Sequence, residues 1–220
     1  MSELEKQKKE TIENLVAIGR LRSPEIKKAM MKVKRELFVL PSYKDEAWID
    51  VALPIVGKAT ISAPHMYAIM FEEAKLKKGE KVLEIGSGSG YGAALMKELV
   101  GKEGKVITLE IDPEVYEFAK KNLKKADCTN VKIILSDGSV GYEKEAPYDC
   151  IFVTATAPEI PKPLIKQLKP EGRMLVPVGG IAGSQELIYI KKNKDGGLEE
   201  RNICGVVFVP LRGKFGYKQI

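Results

Sequence analysis

The sequence predicts an α/β protein: a Rossmann-like, doubly wound and mostly parallel sheet, with helices before it and an antiparallel hairpin after it. Between residues 79 and 178, apolar runs of strand length alternate with helical patterns. A glycine-rich segment follows the first of these runs. Residues 179–220 carry two further strand patterns on either side of a turn. Alternating strands and helices are typical of a parallel sheet that helices cover on both faces.

Length and composition are those of an ordinary globular protein. The 220 residues, 44% hydrophobic and 30% charged, are enough to bury a core, and we expect one domain in three parts: 1–78, 79–178 and 179–220. The net charge of +6 is also found in nucleic-acid-binding proteins. However, lysines alternate with glutamates over 3–10 and 72–81, which indicates solvated helix faces. We therefore predict no nucleic-acid partner.

Targeting and metal-binding patterns are weak in this sequence. The N-terminus is charged, and no uncharged apolar run is long enough to span a bilayer. Cys128, Cys150 and Cys204 are widely separated and form no Cys-x-x-Cys pair, which argues against a zinc site or a disulfide framework. We expect a cytoplasmic monomer without membrane association and without a bound metal.

The first part of the chain carries helical patterns. Apolar spacing over 4–18 predicts an amphipathic helix that Gly19 ends. Ser23 is placed to cap a second helix, with Pro24 in its first turn. Two further segments, an irregular stretch over 41–54 and an apolar helix over 65–75, complete this part.

The middle and last parts carry the strands. We predict strands over 81–85, 106–110, 131–135, 148–154 and 173–178, with helices over 90–100 and 113–126 between them. Residues 186–192 and 203–209 are expected to pair as a hairpin around the turn at 194–197. The order of these last strands in the sheet is left open by the sequence.

The glycine-rich segment predicts a nucleotide site. Gly86, Ser87, Gly88 and Ser89 follow the first core strand and precede a helix. Glycines without a Cβ let a ligand approach the backbone, and the helix adds free N–H groups. The pattern also fits a dinucleotide, but Glu84 at the strand end would repel a pyrophosphate. It would instead attract a cationic ligand such as S-adenosylmethionine.

Two further acids stand at strand ends in the same region. Glu110, followed by Ile111, ends the second core strand, where its carboxylate can accept bonds from both hydroxyls of a ribose. Asp137, followed by Gly138, ends the third strand and could meet the exocyclic amine of adenine. Because open α/β sheets bind ligands beyond the carboxyl ends of their strands, we expect these acids to share one site.

A second candidate site begins at Ser62. Ser62 or Ala63 can cap the next helix, with Pro64 in its first turn. Free N–H groups, the helix dipole and the Ser62 hydroxyl would then form a neutral cradle for an anion. The alternative is a helix start with no other purpose, so this segment needs support from elsewhere.

Several segments together resemble the protein-L-isoaspartate O-methyltransferase family. The matching residues are 60–66, 82–91, 137–138, 146–149, 172–179 and 205–211. The glycine segment is common to methyltransferases, whereas the first and last of these stretches together are specific to this family. The resemblance implies S-adenosylmethionine as cofactor and methylation of the free α-carboxylate of L-isoaspartyl residues in damaged proteins and peptides.

The resemblance also assigns site residues. The active-site serine falls on Ser62. Family contacts with the cofactor fall on Thr60, Ile61, Ser62, His65, Ser89, Glu110, Asp137 and Gly138. The substrate cradle falls on the backbone near Ser62, Ala63 and Pro64, and on Val209. Relatives often carry a histidine where Tyr67 stands, from which we expect that position 67 is not needed for chemistry. They often carry a threonine where Arg212 stands, and Arg212 could instead face an acidic peptide.

Other functions remain open from the residues alone. A carboxylate acceptor is ionised at neutral pH and needs no general base, which suits a site around Ser62 without an acid–base pair. A Ser–His hydrolase would need a partner for His65, and none is evident. The alternatives that we retain are an RNA methyltransferase, a nicotinamide-dependent oxidoreductase, and a non-catalytic binding module on the same fold.

Overall fold

A computed structural model describes residues 2–181 and 183–218 of the chain. The helices are α1 Glu3–Ala17, α2 Pro24–Lys32, α3 Pro64–Ala74, α4 Tyr91–Val100, α5 Pro113–Lys125 and α6 Lys162–Lys166, with 3-10 turns at Arg35–Leu37, Pro41–Glu46, Gly138–Val140 and Glu143–Glu145. The strands are β1 Leu53–Pro54, β2 Thr60–Ile61, β3 Lys81–Ile85, β4 Lys105–Glu110, β5 Lys132–Leu135, β6 Tyr148–Val153, β7 Leu168–Gly179, β8 Gln185–Lys192 and β9 Leu198–Val206.

Strands β3 to β9 form one seven-stranded sheet in the order β5-β4-β3-β6-β7-β8-β9, and β1 pairs with β2 apart from it. The first five strands of that order are parallel, whereas β8 and β9 each run antiparallel to their predecessor. The predicted fold class is confirmed. The structure also settles the order of the last strands, which follow β7 consecutively.

Two apolar cores lie on opposite faces of the sheet. Val82 and Phe152 belong to one core, and their chain neighbours Leu83 and Ile151 belong to the other. This alternation follows from the two-residue period of a strand. The first core also contains residues of α1 to α5, and the second contains Leu164 of α6. None of the helices in the described ranges is long and apolar enough to cross a membrane.

The second helix begins where the sequence predicts, but its capping differs. Ser23 occupies the N-cap of α2 without a side-chain bond to that helix. Its hydroxyl instead donates to Glu72 Oε2 of α3 (2.9 Å), and the backbone N–H groups of Arg22 and Ser23 donate to Glu72 Oε1. A buried carboxylate on α3 thus accepts the bonds that fix the start of α2, and the two helices are tied together.

The last strand differs from its prediction. The sequence predicts this strand over 203–209, but β9 begins at Leu198 and ends at Val206. The first residues of β9 are exposed because it is an edge strand. They include the charged residues Glu199, Glu200 and Arg201, so a hydrophobicity pattern does not detect the start of the strand. The residues after Val206 leave the sheet and turn towards the carboxyl ends of the parallel strands, where Thr156 pairs with Pro210.

Strands β3 and β6 lie side by side at the point where the strand order reverses. From β3 the chain continues outward to β4 and β5, and from β6 it continues the other way to β7. The connections on either side therefore diverge and leave a crevice beyond the carboxyl ends of these two strands. The glycine-rich segment begins at this crevice, directly after Ile85.

Candidate active site

A cleft of about 990 Å³ opens at this crevice. Most of the residues proposed from the sequence line it: Thr60, Ser62, Ala63, His65, Glu84, Gly86, Ser87, Gly88, Ser89, Glu110, Ile111, Gly138 and Val209. Three do not belong to its lining within the described chain: Ile61, Pro64 and Asp137. Ile61 is packed in the core and 1% exposed, and Pro64 is buried in the first turn of α3.

The glycine segment turns tightly over the end of β3. Gly86 has a φ of +93°, and a Cβ on it would lie 2.6 Å from Thr154 Oγ1. The Thr154 hydroxyl donates to the carbonyl oxygens of Ile85 (3.0 Å) and Gly86 (2.7 Å). Both the conformation and the close approach of β6 therefore require glycine at this position.

Glu84 lies at the floor of the cleft and is 1% exposed. The Thr108 hydroxyl donates to its Oε2 (2.6 Å), while Oε1 faces Gly92, where any Cβ would collide with it. Burial raises the pKa of Glu84 to about 8, against the effect of Thr108, and the nearby Glu110 adds to the rise. A cation bound at the free oxygen would restore the charged form.

Glu110 presents a carboxylate that the backbone holds in place. Its Oε1 accepts from the N–H groups of Ile111 (2.9 Å) and Asp112 (3.1 Å), and its Oε2 accepts from Gly88 (3.1 Å). Burial raises the pKa of Glu110, and these backbone bonds and Arg212 lessen the rise. The oxygens keep lone pairs for further donors, as two hydroxyls of a ribose would require.

Asp137 does not belong to the lining of the cleft. Its Oδ1 accepts from the backbone N–H (2.8 Å) and hydroxyl (2.6 Å) of Ser139, and its Oδ2 accepts from the backbone N–H of Lys214 (2.8 Å). This carboxylate caps a 3-10 turn and fastens the C-terminal segment over it. Of the three strand-end acids, the structure brings only Glu84 and Glu110 together in the cleft, with Gly138 contributing backbone.

The start of α3 carries a charge that the sequence did not reveal. Ala63 is the N-cap and makes no side-chain cap. Asp50 Oδ1 instead accepts from the backbone N–H of His65 (2.8 Å) and lies 3.0 Å from its ring Nδ1. Burial acts to raise the pKa of Asp50, but its bonds to His65 hold it below the usual value. The predicted neutral cradle is therefore wrong, because an anion already occupies part of the helix terminus.

Ser62 faces the cleft beside Tyr67. Tyr67 lines the same cleft, and burial raises the pKa of its hydroxyl to about 12, against the effects of Arg35 and Ser62. The Tyr67 ring packs edge-on against Tyr91, with centroids 5.0 Å apart. From the histidine of relatives, position 67 is not expected to be needed for chemistry. Tyr67 nevertheless lines the cleft together with Ser62.

Asp50 and His65 resemble the orienting acid and the base of a hydrolase. The missing partner of His65 is thus present in the fold. A hydrolase would also need the base to bond to the serine hydroxyl. Within the described hydrogen bonds, the His65 ring is joined to Asp50 and not to Ser62.

Two further groups border the cleft. Arg212 Nη2 donates to Asp112 Oδ2 (3.1 Å), so this arginine pairs with an acid of its own chain. The segment after β9 is held by Thr156, whose N–H donates to the Val209 carbonyl (2.8 Å). The same segment leaves the Val207 side chain 93% exposed at the cleft.

The family model for protein-L-isoaspartate(D-aspartate) O-methyltransferase matches residues 6–216. The chain belongs to this family. It is 54% identical over 198 residues to protein-L-isoaspartate O-methyltransferase 2 of Archaeoglobus fulgidus, which covers 90% of each chain. It is 49% identical over 217 residues to the protein-L-isoaspartate O-methyltransferase of Pyrococcus horikoshii, covering 99% of this chain and 98% of the relative.

Solved structures of this methyltransferase family share the fold. A crystal structure from Plasmodium falciparum, assigned as a protein-L-isoaspartate O-methyltransferase and in complex with S-adenosyl-L-homocysteine, has a TM-score of 0.82 and 29% identity, covering 93% of this chain and 97% of that one. Another protein-L-isoaspartate O-methyltransferase structure has a TM-score of 0.86 and 33% identity, covering 95% of this chain and 67% of that one.

The family's cofactor, S-adenosylmethionine, fits the cleft of this methyltransferase. The volume of about 990 Å³ is at the upper end of the range for small-molecule sites. Ser87 Oγ is buried there and has no hydrogen-bond partner in the residues that the structure describes. One oxygen of Glu84 is unengaged, and Glu110 is fixed by backbone donors. A ligand with a cationic group and ribose hydroxyls would satisfy these groups.

Proposed function

We propose that this chain is a repair methyltransferase that transfers the methyl group of S-adenosylmethionine to the free α-carboxylate of L-isoaspartyl residues in damaged proteins and peptides. One observation carries the proposal. Glu84 and Glu110 line the same cleft as Ser62, whose hydroxyl has a tyrosine rather than a base as its neighbour. A donor-binding side therefore faces an anion-binding side in one cleft.

On the donor side, Glu84 and Glu110 would bind different parts of the donor. S-adenosylmethionine, when bound, supplies a methyl group on a positively charged sulfur. Glu84 would attract the positive charge of the donor and neutralise it through its unengaged oxygen. Glu110 would accept bonds from the ribose hydroxyls, and Gly86 and Gly88 would let the donor lie against the backbone. These roles position the donor and transfer no proton.

On the acceptor side, Ser62 would orient the carboxylate. The Ser62 hydroxyl and the neighbouring Ala63 N–H would hold one carboxylate oxygen, so that the other points at the methyl group. That second oxygen forms a bond to the methyl carbon while the carbon–sulfur bond breaks, and the electron pair of that bond remains on sulfur. The acceptor is ionised beforehand, so no base is required. Positioning of this kind can be worth about 7–11 kcal/mol.

The rim of the cleft suits a polypeptide. Val51 and Val207 line it and are 47% and 93% exposed. Apolar side chains standing in water beside a cleft can pack against a bound chain. An extended peptide that carries the isoaspartyl residue could pack against them. This favours a protein or peptide acceptor over a free metabolite.

One assay tests the proposal. The protein is incubated with methyl-labelled S-adenosylmethionine and matched peptides that contain either isoaspartate or aspartate at one position. We expect base-labile label on the isoaspartyl peptide alone, because only a methyl ester is lost in mild base. Label on both peptides or on neither, or label on added RNA, would contradict the proposal. The Ser62→Ala variant serves as the matched control for site-specific transfer.

Location and assembly belong to the proposal as well. We infer a cytoplasmic monomer, as the sequence predicts. The three cysteines are free thiols in the structure, which agrees with a reducing compartment. Size-exclusion chromatography with light scattering checks the monomer, and cell fractionation checks the compartment.

A further inference from the structure

Arg35 is a buried cation behind the acceptor side of the cleft. It is fully buried at 0% exposure. Its Nε donates to the Ala47 carbonyl (2.6 Å). Among the groups that the structure describes, none accepts a hydrogen bond from Nη1 or Nη2. Unpaired donors on a buried charge are costly, so this arrangement calls for a reason beyond the anchoring of one loop.

Two tyrosines and one acid influence the Arg35 guanidinium. The guanidinium carbon lies 5.3 Å from the centroid of the Tyr91 ring. Burial lowers the pKa of Arg35, and Tyr67, Tyr91 and Asp50 act in the opposite direction. The group therefore stays charged, because the usual pKa of arginine is far above neutral. Asp50 is bound to His65 and offsets only part of the charge.

Tyr67 connects this cation to the cleft. Tyr67 lines the cleft together with Ser62. Its ring packs edge-on against Tyr91, the same ring that the guanidinium of Arg35 approaches, and both Arg35 and Ser62 act to lower the pKa of its hydroxyl. The charge thus stands one side chain behind the proposed position of the acceptor carboxylate. Asp50 already places a negative charge on the α3 terminus, which would repel a second carboxylate. A positive charge in the low-dielectric interior compensates for this, since interactions there are weakly screened.

Resting on the proposed function, we propose that Arg35 is a positioning residue for the acceptor: its buried charge, relayed by the Tyr67 hydroxyl, draws and holds the isoaspartyl carboxylate at Ser62. The sign of the effect differs between the two reactants. The same charge attracts the anionic acceptor and repels the cationic donor. Loss of the charge should therefore weaken one ligand while sparing or strengthening the other, which damage to the fold does not do.

The test compares Arg35→Met with Arg35→Lys in the full-length protein. For Arg35→Met we expect the KM of the isoaspartyl peptide to rise about 10- to 100-fold, as for loss of one interaction with a charged group. The Kd of S-adenosylmethionine, measured by calorimetry, should stay equal or fall. The melting temperature should hold or rise, because an unpaired buried charge is removed. Arg35→Lys keeps the charge and should recover part of the peptide KM.

Two conservative variants keep the inference testable if Arg35→Met does not fold. Tyr67→Phe retains the ring packing but removes the relaying hydroxyl, so the peptide KM should rise. Tyr91→Phe is the matched control. Tyr91 is buried against the same guanidinium but does not line the cleft, so removal of its hydroxyl should leave the peptide KM and kcat unchanged. An unchanged KM in Tyr67→Phe, or equal losses in the lysine and methionine variants, would overturn the inference. Absence of isoaspartyl methylation in the unmodified protein would instead overturn the proposed function.

Discussion

The donor side and the acceptor side of the cleft are built in different ways. On the donor side, contacts join adjacent strand ends: Thr108 donates to Glu84 from the neighbouring strand, and Gly88 donates to Glu110 across the same edge. On the acceptor side, Asp50 reaches the start of α3 from an irregular segment, and Arg35 of a 3-10 turn lies against Tyr91, which packs on Tyr67. The sheet thus fixes one half, and tertiary packing of loops and 3-10 turns fixes the other.

The two halves also differ in charge, and the difference matches the two reactants. The donor side offers buried acids, which suit a cation. The acceptor side places a buried guanidinium behind a hydroxyl, which suits an anion. Under the proposed function, acids on one wall and the Arg35 charge behind the other, where Asp50 is bound to His65, would orient a cationic donor and an anionic acceptor towards each other before any bond changes. If each wall binds only its own reactant, a substitution on one wall should leave binding of the other reactant unchanged.

The largest expected effect is on the acceptor side. Ser62→Ala should lower kcat for an isoaspartyl peptide by about 10- to 1,000-fold, because one oriented donor at the reacting group is lost. The Kd of S-adenosylmethionine should change little. Steady-state kinetics and calorimetry on one preparation measure both. Ser184→Ala removes another hydroxyl that lines the cleft and serves as control. Normal turnover by Ser62→Ala would remove the assigned role.

On the donor side, Glu110→Ala should mainly weaken cofactor binding. The carboxylate that would accept hydrogen bonds from two ribose hydroxyls is removed, so we expect the Kd of S-adenosylmethionine to rise about 10- to 100-fold. Turnover at saturating donor should fall far less. The matched control is Glu114→Gln, an exposed acid in the first turn of α5. An unchanged dissociation constant for Glu110→Ala would show that the two walls are not separate in function.

The donor side could be predicted from the sequence more completely than the acceptor side. Glu84, Gly86 and Glu110 could be placed together because the carboxyl ends of parallel strands meet at one edge. For Asp137 the contact with adenine stays a prediction, and the sequence did not show that the backbone of Lys214 donates to its carboxylate. A strand-end rule gives the position of a residue and says nothing about a later segment that folds over it.

The acceptor side escaped prediction for a related reason. Nothing local marks Arg35 or Asp50, which lie in stretches without a regular period. Asp50 bonds to a residue 15 positions away, across β1 and β2, which are too short to show a strand pattern. Tyr67 was visible in the sequence but was read against relatives rather than by its chemistry. Charges brought together by irregular chain are found only once the fold is known.

A pH measurement can sharpen the contrast on the donor side. Burial raises the pKa of Glu84 to about 8, so near neutral pH the free protein holds this carboxyl largely protonated. A cationic donor favours the ionised form, so binding should release a proton. The Kd of S-adenosylmethionine should then rise as the pH falls below about 8, by up to about tenfold per pH unit. Calorimetry in buffers of different ionisation enthalpy counts the protons.

Glu84→Gln is the matched variant for that measurement, because its side-chain oxygen can still accept the Thr108 hydroxyl. The donor has an amino group that titrates in the same range, and that contribution is common to both proteins. The difference between them therefore isolates Glu84. If proton release were the same in both, the carboxyl at the cleft floor would not be linked to donor binding.

The smallest expected effect concerns the rim. Val207 is 93% exposed beside the cleft, and partial burial of its side chain against a bound peptide is worth a fraction of the roughly 1.5–3 kcal/mol of full burial. Val207→Ser should raise the peptide KM about 3- to 10-fold and leave kcat and donor affinity unchanged. Val16→Ser, at an exposed valine of α1 outside the cleft, is the control. If Val207→Ser changed donor affinity instead, the rim would belong to the donor wall. If both valine variants behaved as the unmodified protein, the peptide would lie elsewhere.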